Sequence, residues 1–318
     1  MALPVYASPI ERVWYYTRLT ICALIFLFLI APILIVIPLS FNAEPYFTFT
    51  QKMLSFDPEG YSLRWYDLLL THPSVPTDVP RDAAWWGQVW AESQWLNAAK
   101  NSVIIGLFST VVATVLGTVA ALGLARPEMP ARKAVMAILI SPMIVPIIIT
   151  ATGLFFFYSN PCGMFSWAGV AGDACGRLAG TYAGVILAHA TLGIPFVIIT
   201  VTATLSGFDH SLTRAASSLG ATPTTTFFKV IMPLILPGVI SGALFAFVTS
   251  FDEVVVVLFV AAHDQQTIPR QMWNGIREQI SPAILSVATI LVIISIALLT
   301  MVEVLRRRSD RLRGVTGR

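Results

Sequence analysis

Of the 318 residues, 56% are hydrophobic and only 12% charged, and the mean hydropathy is +0.76. A water-soluble globular chain carries about a quarter of its residues as charges, so most of this surface faces something other than water, and membrane lipid is the medium that fits. The net charge of +3 is too small to mark a polyanionic partner, and no nucleic acid is expected among its ligands.

One helical crossing of a ~30 Å hydrocarbon core takes about 20 apolar residues. Six stretches qualify, at roughly 19–39, 102–125, 134–157, 182–205, 231–262 and 282–304, so an all-α integral membrane protein with six transmembrane helices is expected. The first run exceeds a signal-peptide core, and Pro38-Leu39-Ser40-Phe41-Asn42-Ala43 after it offers no small-x-small cleavage pattern, so it is expected to stay in the membrane. Six crossings put both termini on one side. With the termini inside, the inner segments hold Arg12, Arg18, Arg126, Arg132, Lys133, Arg214, Lys229 and the tail's Arg306, Arg307, Arg308, Arg311, Arg313 and Arg318, which is thirteen of the twenty basic residues. Short basic loops are retained in the cytoplasm, so a multi-pass membrane protein with both termini cytoplasmic is expected.

The outer segment between the first two spans carries Pro73, Pro76 and Pro80 and then Trp85, Trp86, Trp90 and Trp95. Tryptophan collects where an apolar ring meets water, and one or two short helices resting on the outer leaflet are expected, with a protein-docking surface as the other reading. Pro142 and Pro146 interrupt the third run and Pro195 the fourth. Proline removes a helical hydrogen bond, which leaves either a packing kink or an opening beside a transport path. Phe155, Phe156, Phe157 and Tyr158 close the third run, as an interfacial belt or as an aromatic lid over a cation. Cys162 and Cys175 share the following outer loop, where a disulfide would persist; two free thiols are the alternative. His189, in the fourth run, reads as a hydrogen-bonded packing residue or a proton relay.

The inner segment from Gly207 to Pro223 predicts a short helix. Asp209 or Ser211 can cap its start, Leu212, Ala215, Ala216 and Leu219 share an apolar, small side, and Gly220 sits where a left-handed terminator belongs. Such a side either rests on the membrane or enters a partner's groove. The fifth run is longer than one straight crossing needs, which a helix starting in the cytoplasm would explain. It carries Asp252 and Glu253 beside Phe251. A carboxylate at mid-bilayer costs about 2.5–3.5 kcal/mol on insertion scales, so it faces a path or a partner. Contact with a cationic solute and a gate-holding ion pair, for instance with Arg270 or Arg277, both stand. None of the four lysines follows a glycine, so no nucleotide-binding G-x-x-x-x-G-K loop exists, and no metal-ligand spacing or catalytic constellation is present. Catalytic residues, metals and cofactors are therefore not expected in this chain.

The inner segment resembles the signature of ABC-importer permeases, E-A-A, three residues, G, nine residues, I-x-L-P. Here Ala215-Ala216 is followed after three residues by Gly220, and nine residues later by Val230-Ile231-Met232-Pro233; Arg214 replaces the Glu and Met232 the Leu. Ser62-Leu63-Arg64-Trp65-Tyr66, Ile194-Pro195-Phe196, Pro237-Gly238, Ser250-Phe251-Asp252-Glu253 and Arg277-Glu278 further resemble the spermidine/putrescine permease branch. The resemblance implies a type I importer-permease fold and a four-part machine: a second permease subunit (a homologous heterodimer partner), a pair of ABC ATPase subunits that bind ATP and Mg, and a periplasmic substrate-binding protein. Leu212, Arg214, Ala215, Ala216, Leu219, Gly220 and Pro223 would dock on the ATPase. Phe251, Asp252, Glu253, Pro146 and Pro195 would line the substrate path or its gate. The solute would be a polyamine, with an opine, another organic cation or an amino-acid derivative as alternatives, and a self-sufficient secondary transporter as the reading from another class. By role the chain divides into residues 1–100 (tail, first span, outer segment), 101–306 (five-helix core with the cytoplasmic helix) and 307–318 (basic tail).

Overall fold

The computed structural model describes residues 8–126, 128–163, 176–209, 211–278 and 282–312. In chain order its helices are α1 (Pro9–Leu39), α2 (Gln51–Leu54), α3 (Arg64–Thr71), α4 (Ala83–Glu92), α5 (Gln94–Leu124), α6 (Arg132–Ile144), α7 (Ile147–Ser159), α8 (Tyr182–Ser206), α9 (Ser211–Ser218), α10 (Pro223–Thr226), α11 (Met232–Asp252), α12 (Val255–Val260), α13 (Ile268–Glu278) and α14 (Ala283–Leu312). The described residues contain no β-strand beyond an isolated bridge between Asn42 and Tyr61. Among the described residues, four stretches are long and apolar enough to cross a membrane as single helices: α1, α5, α8 and the continuous run Pro223–Asp252. The pair α6 and α7 forms a fifth span if taken together, and the expected last span falls on α14, whose apolar part is Ala283–Ala297.

The chain falls into two compact units, one up to Val89 together with the part from Gly275 onward, the other Trp90–Asn274. In the first, α1 starts with a reciprocal capping box: Glu11 N donates to Ser8 Oγ and Ser8 N to Glu11 Oε2, satisfying N–H groups that a helix start leaves open. None of its most apolar window is buried within the chain, as a lipid-facing span requires. α14 packs on α1 and α3, and Ser286 Oγ donates to the Ser40 carbonyl at 3.3 Å. The outer segment is folded by its tryptophans. Trp65 donates to the Asn42 carbonyl at 2.7 Å, Trp85 to the Pro76 carbonyl at 2.8 Å, and Arg81 pairs with Asp67 while lying over the Trp85 ring. Trp85 is only 2% exposed. Its ring is spent on this miniature core, a correction to its expected interfacial role, whereas Trp86 and Trp90 are exposed.

The second unit is organised around α8, the most buried of the candidate spans, which packs against α5 and α11. Ala113, Ala121, Val197, Val201, Ile235 and Ala246 form one cluster between them. Small residues let the backbones approach. A Cβ at Gly193 would lie 2.9 Å from that of Ala246 and 3.1 Å from that of Ala113, and one at Gly242 would lie 2.8 Å from Val197 Cα.

The prolines divide by environment. Pro195 is buried inside α8, which runs through it unbroken, held between α5 and α11. Pro146 ends α6 instead: Val145 takes an extended ψ of 136°, the conformation favoured before proline, and α6 and α7 meet at 103°. Ile144 at the bend is 74% exposed. The third run was expected to be interrupted at its prolines; the interruption is a full break at Pro146 that leaves two half-helices. The fifth run also differs from expectation. It begins early, at Pro223, passes through a π-helical turn at Phe227–Ile231, and stops at Asp252. The excess length is α12, a separate short helix packed on α7 and α8.

Candidate functional site

At one end of the second unit, α9 stands out from its surroundings. Ser211 N and Ser211 Oγ donate to the two carboxylate oxygens of Asp209 at 2.8 and 2.6 Å, so Asp209 organises the start. The end is a complete Schellman motif: Gly220 N donates to the Ser217 carbonyl and Ala221 N to the Ala216 carbonyl, both at 3.0 Å, with Gly220 at φ +78°. That left-handed backbone is what glycine accommodates and other residues do not. No residue of α9 is buried, and Leu219 beyond it is 88% exposed. Leu212, Arg214 and Ala215 are also exposed and Ala216 is half-buried, while Pro223 opens α10 with Thr222 as its cap. The seven expected docking residues therefore lie together on one exposed helix–turn. Behind it, a cavity of about 650 Å³ is lined by Leu122 of α5 and Arg126 beyond it, Leu205 of α8 and Phe208 beyond it, and Ser217 and Phe227.

The second constellation is the break between α11 and α12. Glu253 is buried, and its Oε1 accepts from Val255 N at 2.6 Å and Val256 N at 3.0 Å. This carboxylate caps α12 and explains why the helix restarts there. Arg270 donates to the Val257 carbonyl at 3.0 Å and forms no ion pair among the described residues, and Arg277 belongs to the other unit. Asp252 is exposed and makes no hydrogen bond or ion pair with the described residues. Phe251 stacks on Phe247 with ring centroids 5.6 Å apart. The two adjacent carboxylates thus have opposite circumstances, one committed to the fold and one free. Pro146 and Pro195 sit elsewhere in the fold: Pro146 marks the α6–α7 bend and Pro195 is buried inside α8.

Two further groupings were not visible in the sequence. His189, 1% exposed, has Nδ1 2.8 Å from Ser250 Oγ, and Ser250 Oγ lies 2.8 Å from Ser109 Oγ. Nothing local connects these three, and only the three-helix contact brings them together. Asn101 Nδ2 donates to the Asp264 and Gln266 carbonyls at 2.8 and 2.9 Å, Tyr182 OH donates to Asn101 Oδ1 at 2.7 Å, and Ile268 N donates to Ser102 Oγ at 2.8 Å. These contacts pin the 262–268 loop onto the first turns of α5 and α8. Of the aromatic run, Phe155 and Phe157 pack on the α8–α12 cluster, Tyr158 is buried within it, and Phe156 alone is exposed. Cys162 is buried and Cys22 exposed; Cys175, its expected partner, lies outside the described residues.

Apolar helices of spanning length, one of them with nothing buried in its most apolar window, together with an exposed helix–turn and a carboxylate at a helix break, mark an integral membrane protein. The sequence from residue 113 to residue 313 matches the family described as "Binding-protein-dependent transport system inner membrane component". The chain belongs to that family of ABC-importer permeases. It is 27% identical to the spermidine/putrescine transport system permease protein PotC of Haemophilus influenzae, over 93% of this chain and 98% of that protein. It is 28% identical to the putrescine transport system permease protein PotI of Escherichia coli, over 91% and 88%. With the trehalose transport system permease protein SugB of Mycobacterium tuberculosis, the identity is 30% over 67% and 73%. Among solved structures, a bacterial alginate ABC transporter in complex with an alginate pentasaccharide-bound periplasmic protein has a chain that superposes with a TM-score of 0.64. The identity there is 17%, and the match covers 96% of this chain and 97% of that one. The fold is that of type I ABC-importer permeases.

Proposed function

We propose that this chain is one of two permease subunits of an importer in the bacterial inner membrane, with both termini cytoplasmic, that moves a polyamine inward by alternating access. A separate pair of ATPase subunits, which bind ATP and Mg, supplies the energy, and a periplasmic binding protein delivers the solute. The observation that carries the reading is α9: a rigidly terminated helix, exposed on every turn, with Leu219 projecting and a cavity behind it. A groove on an ATPase subunit would take that projection, and closure of the ATPase pair would drive α9 and the attached α8 and α10–α11 as one lever. The second permease subunit would be a homologue, and it would cover the apolar faces that α1 and the bent pair leave open.

Asp252 favours a cationic solute. A carboxylate without a partner at the end of a spanning helix is costly unless something positive meets it, and a polyamine is a flexible chain of ammonium groups. A neutral disaccharide, the solute in the name of the trehalose relative, would leave that charge unanswered. Uptake of labelled spermidine and putrescine by vesicles holding the complete complex, with ATP enclosed, tests the reading. Saturable, ATP-dependent uptake displaced by other polyamines and not by trehalose is expected. Uptake without an ATPase subunit, or of neutral sugars alone, would overturn it.

A further inference from the structure

The protons in the buried polar chain of the second unit can be assigned. Ser109 Oγ lies 2.6 Å from the Ile105 carbonyl oxygen; a carbonyl only accepts, and a hydroxyl has one proton, so that proton belongs to this bond. Ser109 therefore accepts from Ser250, and Ser250, its proton spent, accepts from His189 Nδ1. The order is His189 Nδ1–H to Ser250 to Ser109 to the Ile105 carbonyl, which fixes a proton on Nδ1. His189 Nε2 is buried and has no hydrogen-bond partner. The imidazole's one described link is thus to Ser250.

Two of the three bonds cross between helices, from α8 to α11 and from α11 to α5, and the last closes within α5. Ser250 stands two residues before Asp252 and three before Glu253, where α11 stops. At its other end α8 finishes at Ser206, and α9 starts at Ser211. We propose that His189 is a positioning residue: through Ser250 it fixes the rotation of the last turn of α11, so that Asp252 faces outward while Glu253 reaches the start of α12, and so that displacement of α9 arrives at this break without slippage between α8 and α11. The proposal rests on the importer reading above. Along most of its length the α8–α11 contact is fixed by packing, with Phe196 stacked on Phe245 at 6.0 Å and the Gly238 and Gly242 backbones close against Thr204 and Val197; at the last turn of α11 the Ser250 bond adds a directional constraint.

The test uses the complete transporter in vesicles and reads solute moved and ATP hydrolysed in the same preparation. His189→Leu and Ser250→Ala are each expected to lower uptake about tenfold, the scale of one lost buried hydrogen bond, while hydrolysis continues within about twofold. His189→Asn carries an amide N–H where Nδ1–H stood and is expected to restore uptake; His189→Gln carries its amide further out, at the Nε2 position, and is not. The His189→Leu/Ser250→Ala double variant is expected to be no worse than either single one, since both remove the same link. Equal rescue by Asn and Gln, additive losses, or wild-type uptake in Ser250→Ala would overturn the proposal. Ser250→Ala serves this purpose even where His189→Leu lowers the yield of assembled complex. Failure of the unaltered complex to take up any polyamine would instead count against the importer reading.

Discussion

Gly220 gives the most quantitative handle on the α9 lever. Its φ of +78° lies in the left-handed region, and a Cβ built there would meet no atom within 4 Å. Substitution therefore introduces backbone strain without a clash. For a residue other than glycine that strain amounts to roughly 1–3 kcal/mol, least for asparagine and greatest for β-branched side chains. Gly220→Val should sit near about 2 kcal/mol, which reduces the population of the Schellman-terminated helix some thirtyfold relative to its unwound alternatives. Gly220→Asn should cost a few tenths of that. Because the site is exposed and remote from the helical core, expression and insertion should match the unaltered protein. Uptake and ATP hydrolysis measured together should then show transport reduced by at least tenfold in Gly220→Val and largely kept in Gly220→Asn. Equal activity of the two variants, or wild-type transport by Gly220→Val, would refute the claim that the terminated helix is mechanically required.

Other expectations follow from the same geometry. Asp252→Asn should leave folding unchanged, since the carboxylate has no partner to lose, but should raise the apparent KM for a polyamine about tenfold, the scale of one charge-assisted contact; an unchanged KM would remove Asp252 from the path. Glu253→Ala should remove the α12 cap and lower stability by about 1 kcal/mol, with Glu253→Gln milder because an acceptor oxygen remains, as read from the melting temperature of the detergent-solubilised protein. Gly193→Val should overpack the meeting of α5, α8 and α11 by about 1–3 kcal/mol, lowering that melting temperature by several degrees, whereas Gly87→Ala, with open space around its position, should not.

Much of this was legible in the sequence, for physical reasons that vary by element. Spanning helices announce themselves because lipid demands ~20 apolar residues, and the α9 turn because Gly220 follows the small apolar side at the spacing a Schellman cap requires. Hydropathy says nothing of where a helix breaks inside an apolar run. The stop at Asp252 depends on one Glu253 oxygen reaching two backbone N–H groups, and Val-rich α12 looks like a continuation. Pro146 and Pro195 have similar sequence settings and different outcomes, because neighbouring helices enclose only one of them. Trp85 appeared interfacial by composition and is buried by a hydrogen bond to Pro76. Asn101 meets the Asp264 carbonyl across 163 positions of sequence, and the His189, Ser250 and Ser109 chain spans three helices; contacts of that range leave no local trace.

The account turns on α9 meeting an ATPase from the cytoplasm, and Leu219, the most exposed apolar side chain near it, reports on that directly. A Leu219→Cys variant carrying a photo-crosslinker on that thiol, in the complete transporter, should attach to the ATPase subunit, and a membrane-impermeant thiol reagent should reach the same position only from the cytoplasmic face. Crosslinking to lipid alone, or labelling from the periplasmic face, would contradict it.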